Sequence, residues 1–264
     1  MTDLAVTQES FAERLWSKVP LVTPAFWLIK IMATTVGETG ADLLSSRLGL
    51  GLTITSWIMT GVFLVSLTLQ VRAKAYVPTL YWLTVVLISV VGTLISDNLV
   101  DGFGIGLKTT TIAFSLILTI VFAAWYNSER TLSIHSIVTP RREYFYWAAI
   151  LFTFALGTSA GDLVAEGFDL GYLNAAILFG GLIGLVAMAH YVFNQDAVFC
   201  FWVAYILTRP FGASIGDYFA KPVIAGGLGL GTVTTSIIFL TLIAGLVVYL
   251  TATKADSEAV SENA

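Results

Sequence analysis

The chain has little of what a soluble enzyme or a nucleic-acid binder needs. Charged residues make up 11% of its 264 residues, where soluble domains average about 25%. Its 13 Lys+Arg are outnumbered by 17 Asp+Glu, so no basic face can be assembled and nucleic acid is excluded as a partner. One cysteine, Cys200, excludes a disulfide framework and a thiolate metal cluster. Two histidines, His135 and His190, exclude a histidine-rich zinc site. HExxH, Walker and dinucleotide motifs are missing, so the chain holds no ATP-driven pump and no cofactor is expected.

What remains is apolar: 57% of the residues are hydrophobic, and 23 glycines are spread through the apolar runs. Eight stretches are each long enough to cross about 30 Å of hydrocarbon as a helix. They lie near 23–44, 50–71, 77–98, 106–126, 144–165, 171–193, 196–219 and 229–251. The expectation is an all-α polytopic membrane protein whose first partner is the lipid bilayer. Residues 21–126 form one membrane half and 144–252 the other, joined by a cytoplasmic linker over 127–143. Residues 1–20 carry Asp3, Glu9, Glu13, Arg14 and Lys18 and lack a signal-peptide core. Within them Phe11, Leu15, Trp16 and Val19 sit at helical spacing, which predicts an amphipathic surface helix over 8–19. The polar tail 253–264 reads as disordered.

Lys and Arg in the loops set the orientation. Arg14, Lys18, Arg72, Lys74, Arg130, Arg141, Arg142 and Lys254 fall on the side of the termini, and only Arg47, Lys108 and Lys221 on the other. Both termini are therefore expected in the cytoplasm. Lys30 and Arg209 fall inside spans, and Pro210 is expected to kink or break the seventh.

The chain repeats itself. Each odd-numbered span has a Trp followed 15 residues later by an Asp: Trp27 and Asp42, Trp82 and Asp97, Trp147 and Asp162, Trp202 and Asp217. Five residues before each Asp stands Gly37, Gly92, Gly157 or Gly212, and a glycine-rich turn follows. Two spans per copy make the four repeats parallel, so any symmetry axis runs along the membrane normal. The Trp and Asp levels are then about 22 Å apart. In these features the sequence resembles the bacterial membrane proteins built from four tandem copies of a repeat of unknown function. Each copy there has two transmembrane helices and a conserved tryptophan. The resemblance covers about 21–252 and implies a fold and a place in the bacterial inner membrane, but no activity.

Four repeat-related carboxylates near helix ends are costly in a bilayer, and a bound cation offsets that cost. Oxygen-rich surroundings without sulfur suit Mg²⁺, Mn²⁺ or Ca²⁺. Glu38 and Asp101 are nearby further ligands, with Thr39, Ser96, Asn98, Thr158, Ser159 and Ser214 as extra oxygens. Lys30 and Arg209 would pair with aspartates of the ring and open when a substrate cation arrives. The tryptophans read as interfacial anchors, with a gating role as the lesser reading. The matches GTSAG (157–161) and GASIG (212–216) to a nucleophile elbow lie within apolar helices, with His190 and Ser214 the only obvious pair. The chain is therefore read as a non-enzyme. The leading expectation is a secondary transporter, an exporter of a small cation such as Mn or Mg. A passive cation channel and a non-transporting scaffold or partner subunit stand beside it. Eight helices can enclose a path alone or form one protomer of a homodimer.

Overall fold

A computed structural model describes residues 18–256. Among them the chain is all helical, without strands. Eight long helices follow one another: α1 (Pro24–Asp42), α2 (Gly51–Arg72), α3 (Pro78–Asp97), α4 (Leu107–Glu129), α5 (Pro140–Asp162), α6 (Tyr172–Tyr191), α7 (Ala197–Ala220) and α8 (Thr232–Thr253). Their starts are written in the sequence. Pro24, Pro78 and Pro140 open α1, α3 and α5, where a missing N–H costs nothing. The side chains of Thr23, Thr139 and Asp196 accept from the Phe26, Arg142 and Phe199 amides.

Among the described residues seven helices are long and apolar enough to cross a membrane, as in a polytopic membrane protein. The exception is α1, which carries Lys30, Glu38 and Asp42. Its position explains its polarity. It packs against α3, α7 and α8, so its polar side chains meet protein instead of lipid.

The first helices of the four repeats form a closed inner ring, in which α1 packs on α3, α3 on α5, α5 on α7 and α7 on α1. The second helices lie outside. Each covers the inner helix of the next repeat: α2 on α3, α4 on α5, α6 on α7, and α8 back on α1. The repeat is thus not a packed hairpin, and closure of the circle completes the core. Outer helices turn large apolar side chains outward, among them Trp57, Val65, Ile120, Ile177 and Val248.

The repeated glycines hold the ring together. A Cβ on Gly37 would overlap Ser89, one on Gly92 would overlap Phe154, one on Gly157 would overlap Arg209, and one on Gly212 would overlap Thr34. Each glycine is therefore the seat for a side chain of the next repeat, and the fourth glycine seats the first repeat. The four seated residues occupy one repeat position, three before the glycine. Close backbone approach of this kind is how helices associate where lipid supplies no hydrophobic drive.

Three inner helices continue past their aspartate into a π-helical turn: Leu43–Arg47, Asn98–Gly102 and Leu163–Gly167. In the fourth, Pro222 follows Lys221 and a short 3₁₀ turn, Val223–Ala225, replaces it. Two sequence expectations need correction. Pro210 does not break its span: α7 runs continuously through it, with the proline ring against the Gly157 and Gly161 positions of α5. The linker is also shorter than 127–143, because α4 runs to Glu129 and α5 begins at Pro140, with a 3₁₀ turn, Ile134–Ser136, between. The helix expected over 8–19 lies outside the described residues except for Lys18 and Val19, which form a bend. The tail expected from 253 lies outside them beyond Asp256.

The candidate ion site at the end of the inner ring

The ring has two ends, set by the repeat: a tryptophan end and an aspartate end. At the aspartate end, one carboxylate oxygen each from Glu38 (α1), Asp162 (α5) and Asp217 (α7) lies within 4.8 Å of the others. Asp217 and Glu38 are buried, 4% and 6% exposed, and Asp162 is half-buried. Lys221 Nζ bridges two of the repeat aspartates, 3.3 Å from Asp42 Oδ2 and 3.7 Å from Asp217 Oδ1. Burial lowers the pKa of this lysine, but the Asp217, Asp42 and Glu38 carboxylates outweigh that and hold it above the ordinary value. Asp97 is half-buried, within electrostatic range of Glu38 and Asp42. Asp101 is exposed in its π-turn, so it belongs to the rim and not to the cluster.

Behind the carboxylates the axis is filled by Arg209, which is fully buried. Its Nη2 donates to Glu38 Oε2 at 3.0 Å, to Thr158 Oγ1 at 2.7 Å and to Thr93 Oγ1. Its Nη1 donates to the Thr34 carbonyl at 3.2 Å. One guanidinium from α7 thus ties α1, α3 and α5. Glu38, Thr93 and Thr158 occupy the same repeat position, the residue after the glycine, and Ala213 takes it in the fourth. The two terminal nitrogens of the fork are satisfied by groups that the repetition brings together, while Nε has no hydrogen-bond partner.

Below Arg209 lies Lys30, 1% exposed. Its Nζ stands 4.3 Å from the ring centre of Phe154 and 4.1 Å from that of Tyr205, and has no hydrogen-bond partner. The pairs expected of Lys30 and Arg209 with ring aspartates are therefore not formed. Arg209 takes Glu38, and Lys30 sits in an aromatic cage. Proximity explains the choice: Arg209 lies level with Glu38 at the glycine-following position, while Asp42 and Asp217, one turn outward, share Lys221.

The tryptophans also differ from expectation. Trp82, Trp147 and Trp202 are buried, and only Trp27 is partly exposed. They close the far end of the axis with Phe26, Tyr81, Tyr146, Phe201 and Tyr205, as in the 5.1 Å Tyr81–Trp82 and 5.5 Å Trp202–Tyr205 ring contacts. Trp202 Nε1 donates to the Leu132 carbonyl at 2.9 Å. They face inward because the inner helices carry them, so a lipid-facing belt is not what they form. His190 lies at this end, in a side cavity of about 430 Å³ with Trp27 and Cys200. Ser214 lies 14 residues beyond Cys200 on α7, about 21 Å along the helix, so the two do not meet as a dyad.

Lys221 escaped the sequence reading because it counted as a loop cation. Phe154 and Tyr205 escaped as ordinary apolar residues. Aligning the repeats supplies a signal for both, since Phe154 stands at the position of Arg209, and Tyr205 at that of Lys30.

A family model described as Repeat of Unknown Function (DUF347) matches the chain four times, over residues 25–76, 80–131, 145–196 and 200–256. Neither the search of curated proteins nor that of solved structures returned a match.

Proposed function

The chain belongs to the DUF347 repeat family, and we propose that it is a secondary membrane transporter of a small cation, a divalent metal such as Mn²⁺ or Mg²⁺. In this reading all eight helices span the bacterial inner membrane as four parallel repeats. Both termini are cytoplasmic, and the aspartate end faces outward. The direction is export.

One observation carries the reading: the carboxylates of Glu38, Asp162 and Asp217, from three helices, converge within 4.8 Å. Oxygens that share one hard ion at 2.0–2.6 Å stand no more than about 5 Å apart. Charge supports it. Glu38 and the four aspartates are five carboxyls, while the cations paired with them are Arg209 and Lys221. A divalent ion offsets most of the remainder. The donors are oxygens alone, which favours hard cations over copper or zinc.

A carrier fits better than a passive channel, because Arg209, Phe154, Lys30 and the aromatic cluster fill the axis. Flux then requires rearrangement, and Glu38 exchanging Arg209 for the ion is the step that the geometry suggests. The scaffold reading draws on Lys221, which already bridges Asp42 and Asp217. Cells expressing the wild type or the Asp162→Asn/Asp217→Asn variant, matched for membrane abundance, separate the two. Elemental mass spectrometry should show one metal depleted by the wild type alone. Equal contents for every metal would favour the scaffold.

A further inference from the structure

Among the described residues the cations along the axis are paired with carboxylates, with one exception. Arg209 has Glu38, and Lys221 has Asp42 and Asp217. At the tryptophan end Lys18 Nζ holds Glu143 Oε2 at 2.8 Å. Lys30 has neither a carboxylate nor a hydrogen-bond acceptor, and its only stabilising contacts are two ring faces. Such faces contribute about 0.5–2 kcal/mol to an ammonium, well short of what full burial of a charge takes away. A residue kept only for packing there would be apolar, as Val85 and Ile150 are at the same position of repeats two and three.

Its neighbours give this lysine a task. Arg209 stands over the same aromatic ring, its Cζ 5.8 Å from the centre of Phe154. The charges of Lys30 and Arg209, gathered at one ring, therefore repel. Tyrosine hydroxyls stand between the cage and the tryptophan end, but they form no continuous hydrogen-bonded line, since Tyr205 Oη has no hydrogen-bond partner. Tyr76 donates to Asp256, and the Tyr76 ring lies 5.6 Å from that of Tyr81. The hydroxyls of Tyr81 and Tyr146 share a hydrogen bond, with Tyr205, the cage wall, in electrostatic range of both. Charged or titratable groups near Lys30 are thus Arg209 and Tyr205 of α7, Tyr81 of α3, Tyr146 of α5 and Glu38 of its own helix. α8, the third helix packed on α1, carries no acidic or basic residue, and its Tyr249 is exposed.

We propose that Lys30 is the proton site that couples transport: it carries a proton when the acidic cluster is empty and gives it up when a cation binds. This rests on the transport reading and adds its coupling partner. A cation on Glu38 releases Arg209, whose charge then bears more strongly on Lys30. One N–H bond of the ammonium breaks, and the electron pair stays on Nζ. The proton passes to a water molecule that reaches the cage from the tryptophan end as the inner ring rearranges, and leaves there as hydronium. When the cation leaves, Arg209 returns to Glu38 and Lys30 takes a proton from water. One site is charged at a time, which makes the exchange an antiport.

The test uses the full chain in proteoliposomes with a Mn²⁺ gradient, reading Mn²⁺ with one dye and internal pH with another. Wild type should move protons against Mn²⁺ in a fixed ratio. Lys30→Met should lower the protons moved per Mn²⁺ by about tenfold or more. Lys30→Arg keeps a cation in the cage that cannot release its proton. It should stop both fluxes while still binding Mn²⁺ at the acidic cluster, and it carries the test if the methionine variant does not fold. A wild-type proton-to-Mn²⁺ ratio in either variant overturns the coupling role and leaves the transport reading standing. No Mn²⁺ movement by the wild type overturns both.

Discussion

Arg209 of the fourth repeat rests its Cβ and Cγ on Gly157 of the third. That contact places a guanidinium on the axis, where a side chain on residue 157 would push it away. It is one of four equivalent contacts, and its partner is the only one of the four seated residues to carry a charge. The glycine motif and the charged axis are therefore one feature: the seat fixes the arginine, and the arginine fixes Glu38.

Replacing Gly157 with valine should displace Arg209 and separate α5 from α7. Overpacking of this kind costs about 1–3 kcal/mol, and the lost hydrogen bonds add to it. Gly181 on α6, which has open space around its Cβ position, is the control. Thermal unfolding in detergent should show a lower Tm for Gly157→Val and little change for Gly181→Ala.

Arg209→Met should leave the Glu38 carboxylate buried without its partner, a loss of about 3–5 kcal/mol. Adding Glu38→Gln removes the stranded charge and should restore much of the stability, but not transport. A double-mutant cycle on Tm, with flux as the second readout, separates the two roles.

Lys221→Met should strengthen Mn²⁺ binding severalfold, because the ammonium bridging Asp42 and Asp217 competes with the ion for them. The pH dependence has a definite sign. The folded-state pKa of Lys221 is raised, so its pairing is complete below the ordinary lysine value and fades only as pH climbs through the raised one. The gain in affinity should therefore be the same from about pH 6 to about pH 9, since ordinary lysine titrates near 10.4. Titrations at both ends of that range test it.

Much of this was legible before any coordinates. The Trp-to-Asp spacing gave the repeats, and the hydropathy runs placed the helices within a few residues. Glu38 and Arg209 were identified, though not as partners, because pairing depends on which inner helices face one another. The glycines stood out by spacing, yet their purpose appears only when the ring closes and the next repeat arrives. The tryptophans misled for a related reason. An aromatic residue near a helix end reads as an interfacial anchor, and nothing in its own helix says that the helix is inside. Lys221 follows a helix end like any loop cation, and only the missing π-turn at Pro222 brings it back over the aspartates.

Asp101→Asn should leave transport near the wild-type level, because the side chain is exposed on the rim. Asp97→Asn should impair it, through the loss of a half-buried charge beside Glu38 and Asp42. Flux measured at equal abundance distinguishes the rim from the cluster.

The most direct test is Mn²⁺ binding to the purified protein, followed by electron paramagnetic resonance as free Mn²⁺ disappears from solution. The account predicts one bound ion per chain, with affinity falling about tenfold or more in Asp217→Asn and in Glu38→Gln, a change of about 1.4 kcal/mol. Binding that is unchanged in both variants, or no binding by the wild type of Mn²⁺, Mg²⁺ or Ca²⁺, would contradict it.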